Sequence, residues 1–290
     1  MSLFSCHTSL VVRPARNDDL AELRRLTETS SQVHLNLDWW ALEDWVGNPA
    51  FLIAQSEGRI VGFGMGVRDA TSVAWLRALV VGDGLGAGAL LGAILPPMSD
   101  ALRRQGVPAL ACLAWAEWLA ERLPERGFVP MARVVTLRKD DGTAPPGPLV
   151  DGVRVREAQP ADLNAVAAVD HAAFDAEWWY SYNTFGRMLH SPARFIVAER
   201  NGELAGYAFG DMLGTQAHVT RLAVHPAHQR QGIGAQLLAN LIAHFQVQGV
   251  ETFSVNTQAH NEESLRLYRR FGFAPVGKPV TVWWASLGAG

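Results

Sequence analysis

Apolar and polar positions regroup in the same order twice along the chain. Phe51 to Gly66 reads FLIAQSEGRIVGFGMG, and Phe195 to Gly210 reads FIVAERNGELAGYAFG. Alternation around a central break predicts a hairpin in each run. Asn201-Gly202 is the stronger of the two turn signals, because both central residues of a type I′ turn take positive φ; its counterpart is Ser56-Glu57-Gly58. Ahead of each hairpin the pattern gives a β-branched strand, Leu10 to Arg13 or Val153 to Arg156, then a helix whose start is marked by Asp18-Asp19 or Pro160-Ala-Asp162. Behind it comes an apolar strand, Trp75 to Val81 or His218 to Val224, then a glycine-rich turn and an apolar-periodic segment. In the second copy that segment carries Ile233, Leu237, Leu238, Leu241, Ile242 and Phe245, the stripe of an amphipathic helix. A strand at Thr252 to Asn256, a helix at Glu262 to Arg270 stopped by Gly272, and a closing strand near Val280 to Trp284 complete it. Further marks recur in order: VRPARNDDLAEL with VREAQPADLNAV, WLRALVV with VTRLAV, ERGFVP with RFGFAP. Solenoid repeats are roughly 20–50 residues, so this longer unit is a duplicated domain. The expected class is mixed α/β, one fold written twice.

Between the copies, Lys139 to Gly152 is rich in Pro, Gly and Asp and reads as a linker, which sets expected domains at 1–146 and 147–290. With 49% apolar and 18% charged residues over 290 positions, the chain has the balance of a folded protein. Its net charge of −3 offers no case for nucleic acid as a partner. Cys6 and Cys112 stand too far apart for a stapled framework or a four-cysteine zinc site, which points to a reducing compartment. The longest apolar run, Ala87 to Leu95, is interrupted by glycine and stops at Pro96-Pro97, short of the roughly 20 residues of a membrane span. Without a secretory pattern at the start, the expectation is a soluble cytoplasmic protein with no membrane partner, either monomer or homodimer.

The sharpest chemical signal is Val224-His-Pro-Ala-His-Gln229-Arg230-Gln231-Gly232-Ile233-Gly234-Ala235, a strand that ends in a loop and opens a helix. A helix start exposes unpaired N–H groups backed by the macrodipole, and glycines let an anion approach that backbone. Taken alone, such glycines equally serve tight helix–strand packing. Downstream, NEESLRLYRRFGF (Asn261 to Phe273) puts Asn261, Ser264 and Tyr268 on one helical stripe. Together these segments resemble the GCN5-related N-acetyltransferase (GNAT) family, whose Arg/Gln-x-x-Gly-x-Gly/Ala motif Gln229 to Gly234 matches in full.

That resemblance implies two tandem GNAT folds, each a mostly antiparallel twisted mixed sheet flanked by helices, and acetyl-CoA as cofactor. It implies that Leu222, Ala223 and Val224 pair with the pantetheine arm, that the Gln229 to Ala235 loop holds the pyrophosphate, and that Asn261, Ser264 and Tyr268 line the same ligand. Tyr268 then serves as general acid toward the CoA sulfur. His218 is the candidate base, on a strand similar to that of arylalkylamine N-acetyltransferases, with Thr220 where those enzymes have a second histidine; Glu177 is a weaker alternative. His218, His225 and His228 lack recognised ligand spacing, so no metal is expected. The acceptor wall is expected at Phe174, Glu177, Trp178 and Trp179, with a parallel cluster Trp39, Trp40 and Trp45 in the first copy.

The first copy keeps glycines in Val80 to Gly88 but has Asp83 where the family has Arg or Gln, and Leu123 where the tyrosine would stand. It reads as a degenerate domain beside a catalytic C-terminal one, an arrangement similar to that of mycothiol synthase. The leading expectation is acetyl transfer to a small primary amine. An inactive CoA- or metabolite-binding regulator and a protein N-terminal acetyltransferase are the alternatives.

Overall fold

Two copies of one layout are visible from the first strand onward in a computed structural model that describes residues 10–37, 40–69, 73–141 and 147–288. Cys6 and Trp39 lie outside the described residues. The chain divides into unit 1, Met1–Met131 with Thr281–Gly290, and unit 2, Ala132–Val280.

In unit 1, β1 (Val11–Pro14), α1 (Leu20–Thr29), β2 (Gln32–Leu35), β3 (Phe51–Ser56), β4 (Arg59–Arg68) and β5 (Val73–Val81) precede α2 (Ala87–Arg104), β6 (Ala109–Leu113) and the short α3 (Glu117–Ala120). Sheet order runs β1-β3-β4-β5-β6. The β3–β4 and β4–β5 pairs are antiparallel, and β5–β6 is parallel over Val73 to Trp75. The helix α2 continues through Pro96 and Pro97 to Arg104. Its face of Leu90, Leu91, Ile94 and Met98 is fully buried against β3 to β5, which outweighs the backbone bonds the two prolines remove.

Unit 2 takes the last residues of β7 (Val129–Lys139), then β8 (Val153–Glu157), α4 (Leu163–Ala173), α5 (Tyr182–His190), β9 (Arg194–Arg200), β10 (Glu203–Leu213), β11 (Gln216–Val224), α6 (Ile233–Gln246), β12 (Thr252–Gln258) and α7 (Glu262–Arg270). Sheet order runs β7-β12-β11-β10-β9-β8. The expected α6 stripe is buried, with Ile233, Leu237, Leu238, Leu241 and Ile242 all at 1% exposure or less. Both hairpins turn as expected, with positive φ at Glu57 and Gly58 and at Asn201 and Gly202. The same ion pair opens each unit: Arg13 forks onto Asp19, and Arg156 onto Asp162 at 2.6 and 2.8 Å. Asp19 and Asp162 also accept the amides of Arg16 and Gln159, which starts α1 and α4.

The units do not separate at Gly147, where the linker reading put the boundary. Strand β7 lies before the linker, yet Val134 to Lys139 pair with β12, and Leu137 is buried in the unit 2 core. The final strand, β13 (Ala274–Ser286), is longer than expected, and Val282 to Ser286 pair antiparallel with β6 in unit 1. Each copy's closing strand thus completes the other copy's sheet, because hydrogen-bonded pairing and apolar burial, not chain order, decide where a strand docks. Part of the linker is also packed: Gly147 lies so close to α6 that a Cβ there would stand 2.4 Å from that of Ala239.

Candidate active site

The site is built around β11. Its parallel pairing with β12 runs from Gln216↔Thr252 to Val219↔Val255 and stops, because β12 continues along β7. Leu222, Ala223 and Val224 keep their partners on β10, but among the described residues no strand pairs with their other edge. Thr220, at the point where the two strands part, has a buried hydroxyl with no hydrogen-bond partner among the described residues.

The chain then turns through Pro226 to His228. Gln229 ties the turn together by donating to the Val224 carbonyl at 3.1 Å, and Gln231 donates to Ala227 at 3.2 Å. Arg230 (φ 60°) and Gly232 (φ 88°) both take left-handed conformations. The helix α6 begins at Ile233 without a side-chain cap, and among the described residues no protein group accepts the amides of Arg230 to Ala235. Such a run of unpaired N–H groups at a helix start is an anion cradle. Gly234 differs from Gly232: a Cβ there would meet Leu267, Val224 and Leu222 at 3.5 to 3.7 Å, so it points into the protein. The open β11 edge, the Thr220 hydroxyl and the loop amides without protein partners fit a ligand that carries both amide groups and a diphosphate, as acetyl-CoA does.

On α7, Asn261 caps the helix by accepting the Ser264 amide at 3.1 Å. Tyr268 is 5% exposed and lies among Leu265, Phe271 and Phe273, so burial pushes its phenol well above the ordinary range and keeps it protonated. The half-buried His218 on β11 has Nδ1 2.8 Å from Ser254 Oγ on β12. That hydroxyl is 3.4 Å from the Ala217 carbonyl.

The expected acceptor wall is a folded segment between α4 and α5. Trp179 donates its indole N–H to the Phe174 carbonyl at 2.7 Å and stacks on His171 with centroids 4.3 Å apart. Glu177 and Trp178 lie in a short 3-10 turn, both half-buried. Sequence reasoning missed what anchors this segment. Asp170, fully buried at the end of α4, accepts from Tyr207 at 2.5 Å and from Arg221 Nε and Nη2 at 2.9 and 2.7 Å. Arg221 also donates to the Trp178 carbonyl at 2.7 Å and faces the rings of Phe174 and Tyr180 at 3.6 and 4.2 Å. The signal was Tyr207 standing where the first hairpin has Phe63.

Unit 1 differs at the corresponding edge. Past β6, strand β5 is covered by β2, from Leu35↔Ala78 to Gln32↔Val81, and Asn36 extends the ladder to the Arg77 carbonyl at 2.8 Å. The sequence reading placed no strand there. His34 fixes β2 in place: it is 3% exposed, bonds the Leu76 carbonyl at 3.1 Å, and burial lowers its pKa. Leu123 is fully buried in the core, and Arg126 donates to the Gly88 carbonyl in the first turn of α2 at 2.6 Å.

Residues 156–273, most of the second copy, match the acetyltransferase (GNAT) family. That match covers less than half of the chain, and the first copy lies outside it. The chain is 29% identical over 119 residues to the [ribosomal protein bS18]-alanine N-acetyltransferase of Escherichia coli K12, covering 41% of this chain and 79% of that one. It is 31% identical over 146 residues to the mycothiol acetyltransferase of Streptomyces avermitilis, covering 43% of this chain and 44% of that protein, so the match spans less than half of that relative. In fold it is similar to a tandem GNAT protein from the clavulanic acid biosynthesis pathway, with a TM-score of 0.68, 18% identity, and coverage of 97% of this chain and 99% of that one. Among the described residues no helix is long and apolar enough to cross a membrane.

Proposed function

We propose that unit 2 is an acetyl-CoA-dependent N-acetyltransferase acting on a primary amine, a small molecule first, and that unit 1 supports it without a cofactor of its own. One observation carries this reading: among the described residues the Leu222 to Val224 edge is unpaired in unit 2 and runs into an uncapped helix start, whereas the equivalent edge of unit 1 is closed by β2. Bound acetyl-CoA supplies an acyl group activated as a thioester. The chain's own residues do the rest. Loop amides from Arg230 to Ala235 bind the diphosphate charge, and the β11 edge fixes the direction of the arm. His218, hydrogen-bonded to Ser254 through Nδ1, takes the proton that an ammonium must lose before it attacks. Tyr268, kept protonated by burial, donates a proton to the departing sulfur. Holding both reactants in one cleft supplies a large part of the rate. A peptide amino terminus is the second reading for the acceptor, favoured by the E. coli relative's action on a ribosomal-protein alanine.

Calorimetric titration with acetyl-CoA is expected to give one equivalent per chain, and thiol release is expected with a member of a panel of small amines and amino-terminal peptides. Tyr268→Phe is expected to lower kcat about 10²-fold while acetyl-CoA affinity stays within about twofold. Two equivalents per chain would show that β2 does not close unit 1. Binding without thiol release for any acceptor would favour a regulatory binder, and unchanged turnover of the phenylalanine variant at alkaline pH would remove Tyr268 from the chemistry.

A further inference from the structure

The same stretch of chain, the one that follows the first helix of each copy, adopts two different structures. In unit 1 it lies down on the β5 edge as β2. In unit 2 it folds into the short turn and aromatic wall of residues 174–180 and leaves the β11 edge open. The two surroundings differ at three places. Asp170 and Thr27 each stand eight residues after the aspartate that starts their helix. Tyr207 and Phe63 are hairpin counterparts. By register, Arg221 opposite Phe209 corresponds to Ala78 opposite Met65. Unit 2 therefore holds a buried carboxylate, phenol and guanidinium where unit 1 has a hydroxyl, a benzene ring and a methyl group.

We infer that Asp170, Tyr207 and Arg221 are positioning residues that hold segment 174–180 off the β11 edge, keeping that edge open for the cofactor and the acceptor wall upright beside it. This inference rests on the reading of unit 2 as the acetyl-CoA-binding unit. The bonds run in the required directions. Asp170 uses Oδ1 to accept the amide of Tyr180 at 3.1 Å, and Oδ2 to accept Tyr207 and Arg221. Arg221 takes the carbonyl of Trp178, while its guanidinium face lies on Phe174 and Tyr180. The segment's backbone amide and carbonyl, the groups a strand would offer to β11, are thus spent on the cluster instead. At the same register position in unit 1, Ala78 presents only a methyl group, and Leu35 pairs directly with it. A buried ion pair is poorly explained by stability alone, because apolar residues of similar volume often do as well. Holding a segment in one of two available pairings is a conformational role that such a cluster fills.

The test copies unit 1 into unit 2 with the triple variant Asp170→Thr, Tyr207→Phe and Arg221→Ala, which removes both charges together and leaves none buried alone. Hydrogen exchange of peptides covering Leu222 to Val224, measured without acetyl-CoA, is expected to slow at least tenfold as the segment pairs with the edge, and acetyl-CoA affinity to fall at least tenfold. Arg221→Lys is the second variant: it keeps the charge but gives up the fork to Asp170 and the Trp178 carbonyl, and is expected to raise the amine KM at least threefold with the acetyl-CoA KM nearly unchanged. A folded triple variant with wild-type exchange and affinity overturns the inference. If the triple variant does not fold, Arg221→Lys with a wild-type amine KM and wild-type exchange at Trp178 to Tyr180 overturns it. Exchange is read without cofactor or turnover, so slowed exchange in a protein whose wild type never binds acetyl-CoA would uphold the cluster's role and refute the functional reading separately.

Discussion

Gly232 and Gly234 belong to one motif but face different surroundings, so replacing each with alanine should give opposite results. Gly232 sits at φ 88°, a left-handed conformation that costs an L-residue about 1–2 kcal/mol. A Cβ there would also meet Val150 Cγ2 at 3.1 Å, tight enough that the packed linker must give way. Gly232→Ala should therefore destabilise unit 2 by about 1–2 kcal/mol and shift the loop amides, raising the acetyl-CoA KM about tenfold. Gly234 lies inside the first turn of α6, and its Cβ would make ordinary contacts with Leu222, Val224 and Leu267. Gly234→Ala gains helix propensity of about 0.5–1 kcal/mol and places no atom on the ligand side of the cradle. It should be as stable as wild type or more so, with an acetyl-CoA KM within about twofold. Thermal melts with and without acetyl-CoA, alongside steady-state kinetics, measure both quantities. If Gly234→Ala raises the KM as much as Gly232→Ala, the glycine does face the ligand, and the assignment of the cradle to backbone geometry around Gly232 is wrong.

Two further predictions concern proton transfer and a paired carboxylate. His218→Gln should lower kcat/KM about 10²-fold, and Ser254→Ala should lower it a few-fold, since the ring then loses its hydrogen-bond partner on β12; wild-type kcat/KM in His218→Gln assigns the base elsewhere. The Arg156 fork holds the Asp162 carboxyl below the usual carboxylate range, so its contribution is fully present above about pH 4 and is lost as the pH falls through the lowered folded pKa. Arg156→Gln should accordingly cost about 1–2 kcal/mol at pH 7 in denaturant melts, and the difference should shrink as the pH falls and Asp162 and Glu199, the two partners of Arg156, become protonated.

The hairpins, the α6 stripe, the cradle motif and the capped α7 were legible because each is a local pattern: period, turn residue or helix cap. What was not legible depends on competition between distant segments. The apolar alternation of β7 and β13 predicts strands but cannot say which of two nearly identical sheets each one joins, and the linker at Lys139 to Gly152 suggested the wrong partition because it separates the copies in sequence rather than in pairing. Helix α5 and strand β2 were missed for a related reason. Val33 and His34 form a strand because β5 offers them an edge, and the segment of residues 174–180 is kept from that fate by bonds to residues 10 and 43 positions away.

The same competition explains why the most informative positions of the repeat are those where the copies disagree in chemistry but agree in place. On the proposed reading Asp83 and Leu123 mark lost cofactor contacts in unit 1, yet neither closes a site. Closure comes from β2, whose four residues turn a strand edge suited to a pantetheine arm into an ordinary antiparallel pair. A slot filled by its own chain needs no acidic residue to reject an anion, so restoring Arg at Asp83 would leave unit 1 closed. The charge at the turn tunes a cradle only where the edge beside it is open, and in this chain that edge lies in unit 2, kept clear by three buried polar side chains that unit 1 lacks.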